Sequence, residues 1–277
     1  MIRWHPNARR PLARQPLTLL GLAWLLVVGL ITVLVPALTH TSPMATDPAR
    51  TLEPPSADHP LGTDALGRDV LTRLAWGARW TLQMGLLGLT LSVGLGLPIG
   101  LVAGAFGGWV DTLLMRLMDA LLAFPGLLLA MALIAVLGSG LAPVAVAVGF
   151  TASPAYARVA RSAAREVRSE TYVQASRAVG AGPGRILWRH ILPNASPPLL
   201  AFAAVQLGWI LLNGAALNFL GLGVPPGTPE WGAMLAEGRG FLRDAPWASA
   251  FPGLALTMTV LAANLVGDGV QELMRPR

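Results

Sequence analysis

Residues 169–194, SETYVQASRAVGAGPGRILWRHILPN, form a polar, Arg-rich island in an otherwise oily chain, and the run GAGPGR inside it has the composition of a phosphate-cradling loop. A P-loop needs Gly-x-x-x-x-Gly-Lys after a strand, and the chain holds no lysine. A dinucleotide loop needs Gly-x-Gly-x-x-Gly after a strand; Arg185 takes the last glycine position, and the segment before it reads as helix. No nucleotide-binding motif is recognised, so if ATP drives this protein another chain hydrolyses it. Nucleophilic chemistry fares no better. Cysteine is absent, which removes disulfides, thiolate zinc sites, iron–sulfur clusters and thiol nucleophiles together. His5, His40, His59 and His190 all lie outside the apolar stretches, so an intramembrane hydrolase would lack its Ser–His or His-x-x-x-His pair.

Proton or ion relays need charge at membrane depth, where each ionised side chain costs at least ~2.5 kcal/mol. Arg116 and Asp119 fall near one helix end and Asp268 near another. An ion-coupled secondary carrier, the alternative reading of function, should show inverted repeats and mid-membrane carboxylates, and neither is seen. The milder polar groups Gln83, Gln206, Asn213, Asn218 and Asn264 could touch a solute or join helices by hydrogen bonds.

The elements that must position these groups are membrane helices. The 277-residue chain is 54% hydrophobic and 12% charged, against about 25% charged in a soluble domain; its mean hydropathy is +0.58. A spanning helix needs about 20 apolar residues, and six stretches qualify: 17–38, 80–106, 113–137, 141–157, 198–222 and 248–270. The first is longer than the ~7–15 residues of a signal-peptide core and is read as a retained anchor. The expected fold is an all-α membrane protein of six transmembrane helices. Its organisation is an N-terminal arm (1–16), a first helix (17–38), an outer loop (39–79), a five-helix core (80–270) carrying a loop at 158–197, and a tail (271–277).

Orientation follows the arginines, which are the only strongly basic residues in a chain of net charge +6. Arg3, Arg9, Arg10 and Arg14 precede the first span; Arg158, Arg161, Arg165, Arg168, Arg177, Arg185 and Arg189 fill the island and its approach; Arg275 and Arg277 close the chain. These segments fall on one side, so both termini and the island are expected in the cytoplasm. The outer loop sets Asp47, Glu53, Asp58, Asp64 and Asp69 against Arg50, Arg68, Arg73 and Arg79, and the 223–247 loop sets Glu230, Glu237 and Asp244 against Arg239 and Arg243.

Ser92, Gly96, Gly100, Gly104 and Gly108 recur every four residues along the second span. Small residues at that spacing let two helix backbones approach closely, within the chain or against a partner chain. Pro98 and the Pro125–Gly126 pair should bend their helices.

In the island's approach, Arg158, Arg161, Arg165 and Arg168 fall on one face of a helix that continues the fourth span. That face could attract anionic lipid or an acidic partner. Ser169 reads as an N-cap, Gly180 as the residue after a C-cap, Pro183 as the first position of a second short helix, and Pro193 as its stop. Ala175, Ser176 and Ala178 give the first short helix a smooth surface, and so short a helix needs a partner.

YVQASRAVGAGPGRILWRHILPN resembles the Glu-Ala-Ala…Gly…Leu-Pro loop of membrane permeases in bacterial ABC importers, in the form found in the dipeptide, oligopeptide and nickel permease family. HPLGTDALGRDVLTRLAWGARWTL, MDALLAFPGLLLAMAL, LNFLGLGVPPGTPEWGAML, FPGLAL and NLVGDG are similar to family segments in the same order. They cover most of residues 59–270, and the long first outer loop resembles that of the second of two paired permeases. The resemblance implies the importer permease (type I importer) fold, a bacterial inner-membrane location, and a cargo of di- or oligopeptides or nickel (chelate). It implies as partners a second homologous permease, two ATP-binding subunits that bind the ATP, a periplasmic or lipid-anchored substrate-binding protein and membrane lipids; no cofactor and no nucleic acid is expected on this chain. It assigns Tyr172, Gln174, Ala175, Arg177, Gly180 and Arg185 to a coupling helix that docks on an ATP-binding subunit. Gln174 stands where the motif has Glu and Ser176 where it has its second Ala. The outer segment Gly62, Asp64, Gly67, Arg68 and Asp69 is either an ion-paired cap near the delivery protein or a turn plus surface helix with Asp69 as N-cap.

Overall fold

The computed structural model describes residues 16–38 and 42–274. The arm with Arg3, Arg9, Arg10 and Arg14, the start of the outer loop at 39–41, and the tail Arg275 and Arg277 lie outside the described residues. The elements are α1 (Pro16–Leu38), α2 (Val70–Phe106), α3 (Gly108–Leu122), α4 (Gly126–Leu137), α5 (Leu141–Ser169), α6 (Thr171–Ala178), α7 (Pro183–Ile186), α8 (Leu192–Phe219), α9 (Trp231–Gly238) and α10 (Trp247–Met274). The described residues are all-α, with only a single β-bridge between Thr63 and Asp69.

Among them, four helices are long and apolar enough to cross a membrane, and the bent pair α3–α4 makes a fifth candidate. The expected third span is broken: α3 and α4 meet at 86°. Pro125 supplies no amide hydrogen and disfavours helical geometry at Phe124, so the first helix stops and a second starts at Gly126. α5 is not counted by length and composition, because its apolar part ends at Ala157, where the arginine face begins.

α2 starts ten residues before the apolar stretch at 80, because the Asp69 carboxylate accepts from the Thr72 amide at 2.7 Å and caps the helix there. It then runs unbroken through Pro98 for 37 residues, ~55 Å at 1.5 Å per residue. Pro193 does not stop a helix as expected. A π-helical turn at Leu187–Ile191 widens the backbone just ahead of it, Pro193 falls at the start of α8, and Pro183–Phe219 reads as one 37-residue helix. A π turn shifts the hydrogen-bond ladder by one residue and so absorbs a proline's missing donor.

The core is α2 on α5, with α8 and α10 alongside, α1 against α10 and α2, and α9 wedged among α2, α8 and α10. The small-residue stripe makes the α2–α5 contact. A Cβ on Gly96 would stand 2.6 Å from the Ser153 carbonyl oxygen, one on Gly100 2.2 Å from that of Ala157, and one on Gly104 2.6 Å from that of Arg161. The stripe thus packs within the chain, where close backbone approach replaces the hydrophobic drive that lipid cannot supply. Gly108 is not part of it; with φ +57 it turns the chain into α3 and faces no neighbour. Gln206 is buried in the same core, donating to the Ala152 carbonyl at 2.8 Å and the Ser92 hydroxyl at 3.3 Å, which makes it a link between helices.

Candidate functional site

Polar residues gather at the two ends of the α2–α5 pair. At one end stands α6, eight residues long, with Val173 its sole buried side chain. Val173 sits in a cluster with Leu101, Tyr156, Val167, Ile186, Ile191 and Leu199, so one apolar peg seats the helix on α5 and α7 and ties it to the apolar cluster they share with α2 and α8. Two ties fix its rotation: Gln174 Nε2 donates to the Ser169 carbonyl at 2.9 Å, and the Ser176 hydroxyl meets His190 Nε2 at 3.2 Å. The Tyr172 ring lies 6.1 Å from that of His190. Tyr172, Gln174, Ala175, Arg177 and Arg185 are all exposed.

Gly180 closes α6. Its amide donates to the Arg177 carbonyl and the Ala181 amide to that of Ser176, at 3.0 and 3.1 Å, the double return bond that ends a helix on a left-handed residue. Its φ is +88 and a Cβ there would touch nothing within 4 Å, so the position asks for backbone freedom rather than space. The N-terminal reading needs correction. α5 continues through Ser169, whose hydroxyl donates back to the Glu166 carbonyl at 2.7 Å, and Glu170 occupies the N-cap position without a side-chain bond.

The arginine face of α5 is partly spent inside the chain. Arg158 pairs with Asp119 at 2.6 Å, Arg161 grips Asp111 through two nitrogens, and Arg165 reaches Asp111 at 3.9 Å. α3 thus supplies carboxylates to the arginines nearest the core, a pairing that helix periodicity alone did not place.

At the other end, residues 42–69 fold over the start of α2. Asp64 Oδ1 accepts from the amides of Leu66 and Arg68 at 2.9 and 3.0 Å, and Oδ2 from Arg68 Nε at 2.7 Å. Gly67 lets that turn close: its φ is +71, and a Cβ there would fall 1.8 Å from the Asp47 carbonyl oxygen. Gly62 likewise lies against the Trp247 ring, whose Nε1 donates to the Thr63 carbonyl at 3.0 Å. Of the two expected carboxylates, only Asp64 joins the arginines. Asp69 caps α2 and meets His59 Nδ1 at 3.1 Å. The separate surface helix expected after it is instead the first turns of α2.

Glu237, at the end of α9, completes this cluster and was not singled out from sequence. One of its oxygens takes Arg68 at 2.7 Å and Arg73 at 2.8 Å, and the other takes the Gly227 amide at 3.0 Å. Arg68 and Arg73 are 5% and 1% exposed, so two arginines and two carboxylates form a charge-balanced clasp between α2 and α9. Glu230, wholly buried, caps the other end of α9, accepting from the Ala233 amide and the Thr81 hydroxyl at 2.9 Å each. Burial pushes its carboxyl up from the usual range, and these bonds, with Asn218 and the Gly232 amide, offset only part of that rise.

An exposed short helix thus stands at one end of the shared bundle and a clasped short helix at the other. A family profile described as binding-protein-dependent transport system inner membrane component matches residues 96–277. The chain belongs to that family. A dipeptide transport system permease protein from Alkalihalophilus pseudofirmus is 40% identical over 98% of this chain and 89% of its own length. A glutathione transport system permease protein from Pectobacterium atrosepticum is 39% identical over 99% of this chain and 91% of its own. An inward-facing structure of the MetNI methionine ABC transporter superposes with a TM-score of 0.63 at 21% identity, covering 74% of this chain and 97% of its own, which shows a shared fold. The chain is therefore an ABC importer permease of the peptide/nickel group, a multi-pass membrane protein whose relatives are permease subunits of transporters. The loop quoted for the resemblance falls inside the matched region, on α6, α7 and the start of α8.

Proposed function

We propose that this chain is one of two paired permeases that form the path for a small peptidic solute across a bacterial inner membrane. ATP-binding subunits would supply energy through α6 and a substrate-binding protein would deliver cargo at the face bearing α9. The observation that carries this reading is the mounting of α6. All its residues but Val173 and Ser176 are exposed, Val173 is its one apolar peg, and it is seated on α5 and on α7, which heads the long helix that continues as α8 into the core. A push on α6 therefore moves helices rather than loops.

Gly180→Val tests the turn. A β-branched residue in left-handed geometry costs more than the ~1–2 kcal/mol of an ordinary one, and because no neighbour crowds the site the damage stays local. The variant should insert normally, lose most transport and hold ATP-binding subunits loosely. With no native cysteine, Ala175→Cys should cross-link to a cysteine placed in the cleft of an ATP-binding subunit, with an efficiency that changes on adding nucleotide. Normal transport by Gly180→Val and no cross-link from Ala175→Cys would together remove the coupling role. The ligand carried by the cognate binding protein tests cargo: a peptide is expected, and a nickel chelate would overturn the peptidic assignment.

Six spans with both termini in the cytoplasm belong to the same proposal, with the apolar stretch 141–157 of α5 as the fourth. A reporter fused after Arg277 should read as cytoplasmic and one near Gly227 as periplasmic. The same side for both would remove the topology.

A further inference from the structure

Among the described residues, not all the arginines at the α6 end of the bundle find carboxylate partners. Where α5 gives way to α6, Arg165, Arg168, Ser169, Gln174, Arg177 and Ala178 line an open cleft of about 690 Å³. Arg165 has only the 3.9 Å approach to Asp111, and Arg168 bonds to nothing stronger than the Gly104 carbonyl at 3.4 Å. Arg177 is exposed, and among the described residues neither it nor Arg168 pairs with a carboxylate. Glu166 and Glu170, the carboxylates nearest in sequence, line none of the cleft; Glu166 follows Arg165 and so points about 100° away around α5. Three guanidiniums thus face one hollow, and the carboxylate nearest them, Asp111, is already gripped through both oxygens by Arg161. Arginine presents a planar fork that matches carboxylate geometry and cannot be neutralised, so the hollow favours an acidic occupant at any working pH.

Position decides which acidic occupant. Arg168 lies eleven residues beyond Ala157, where the apolar part of α5 ends, ~16 Å along the helix at 1.5 Å per residue. A headgroup layer extends only about 5–7 Å past the hydrocarbon on each face. Arg168 also reaches Gly104, two residues short of the apolar end of α2 at Phe106, so the cleft stands at the outer edge of the apolar layer and not within it. It also opens beside exposed α6, the surface the coupling role would cover with protein, and it is far larger than one phosphate group.

We propose that this cleft is a socket for an acidic segment of the ATP-binding subunit, a second contact beside α6 in which Arg165, Arg168 and Arg177 receive one or two carboxylates. The proposal rests on the coupling reading for the identity of the partner, and charge complementarity supplies its chemistry. The socket steers the subunit electrostatically and fixes its angle, while α6 transmits the movement.

The test measures rebinding of ATP-binding subunits to the permease pair in discs of neutral lipid. Arg177→Glu should weaken binding about tenfold or more and flatten its salt dependence, with Arg177→Gln between it and the parent. Replacing the facing acidic residue of the subunit by Arg should restore binding to Arg177→Glu. Unchanged affinity in Arg177→Glu, together with an intact Ala175→Cys cross-link, would overturn the socket and leave the coupling role standing. Weakened affinity with no Ala175→Cys cross-link would do the reverse. A loss seen only in discs containing phosphatidylglycerol, or confined to binding of inorganic phosphate by the permease pair alone, would also overturn the proposal by assigning the cleft to lipid or to a free anion.

Discussion

Gly100→Leu is expected to leave almost no stably folded protein in the membrane. Even an alanine there would place its Cβ 2.2 Å from the Ala157 carbonyl oxygen and 2.6 Å from the Ala160 Cβ, atoms fixed by the α5 backbone. No rotamer relieves such a contact, so the helices must part. Overpacking a tight core costs about 1–3 kcal/mol for modest insertions, and here separation at Gly100 also pulls apart Gly96 and Gly104, which share the same two rigid rods. Loss of that contact would carry away the Arg161–Asp111 clamp and the seat of α6. Gly94→Leu is the control on the same helix: a Cβ there meets nothing within 4 Å, so it should match the parent. Detergent-extracted, monodisperse yield and melting temperature would be compared. If the two leucine variants behave alike, α2 and α5 do not pack as described.

That stripe was legible because its signal is local: small residues at every fourth position announce a close-packed face whatever lies opposite. The sequence left open what that face would meet, and the fold answers with α5. Gly180 and Asp69 were legible for the same reason, since caps and turns are set by residues within a few positions. What stayed hidden depends on distance along the chain. Glu237 meets Arg68 and Arg73 across 169 and 164 residues, and no periodicity links them. Arg161 and Asp111, 50 residues apart, are joined only once α3 folds against α5. Pro193 was misread because its usual effect assumes a regular α ladder, whereas a π turn ahead of it supplies another. The role of Val173 as peg was invisible because a single valine in a polar helix carries no pattern. α5 was legible as an apolar stretch at 141–157 continued by a basic-faced helix, although its basic end dilutes its hydropathy.

Glu237→Ala should be the most damaging single change at the α9 end of the bundle. It leaves Arg73, 1% exposed, with only the 3.5 Å approach to Asp64, and Arg68 with Asp64 alone. It also strips the Gly227 amide of its acceptor. Removing one partner of a buried ion pair costs about 3–5 kcal/mol, most of it the penalty of the charge left behind. Because the Glu237 side chain is 29% exposed and water can reach the vacated site, the lower end of that range is expected. α9 would then loosen from α2, lowering the melting temperature and raising ATP hydrolysis by the assembled transporter in the absence of cargo. The source of the penalty can be isolated by Arg73→Met combined with Glu237→Leu, which removes one charge of each sign and leaves the Arg68–Asp64 pair at 2.7 Å. If an orphaned cation is what destabilises Glu237→Ala, the double variant is the more stable of the two, despite carrying one more change. If it is the less stable, the clasp holds α9 through the attraction of the pair itself, and the account of Arg73 as a charge that must be balanced fails.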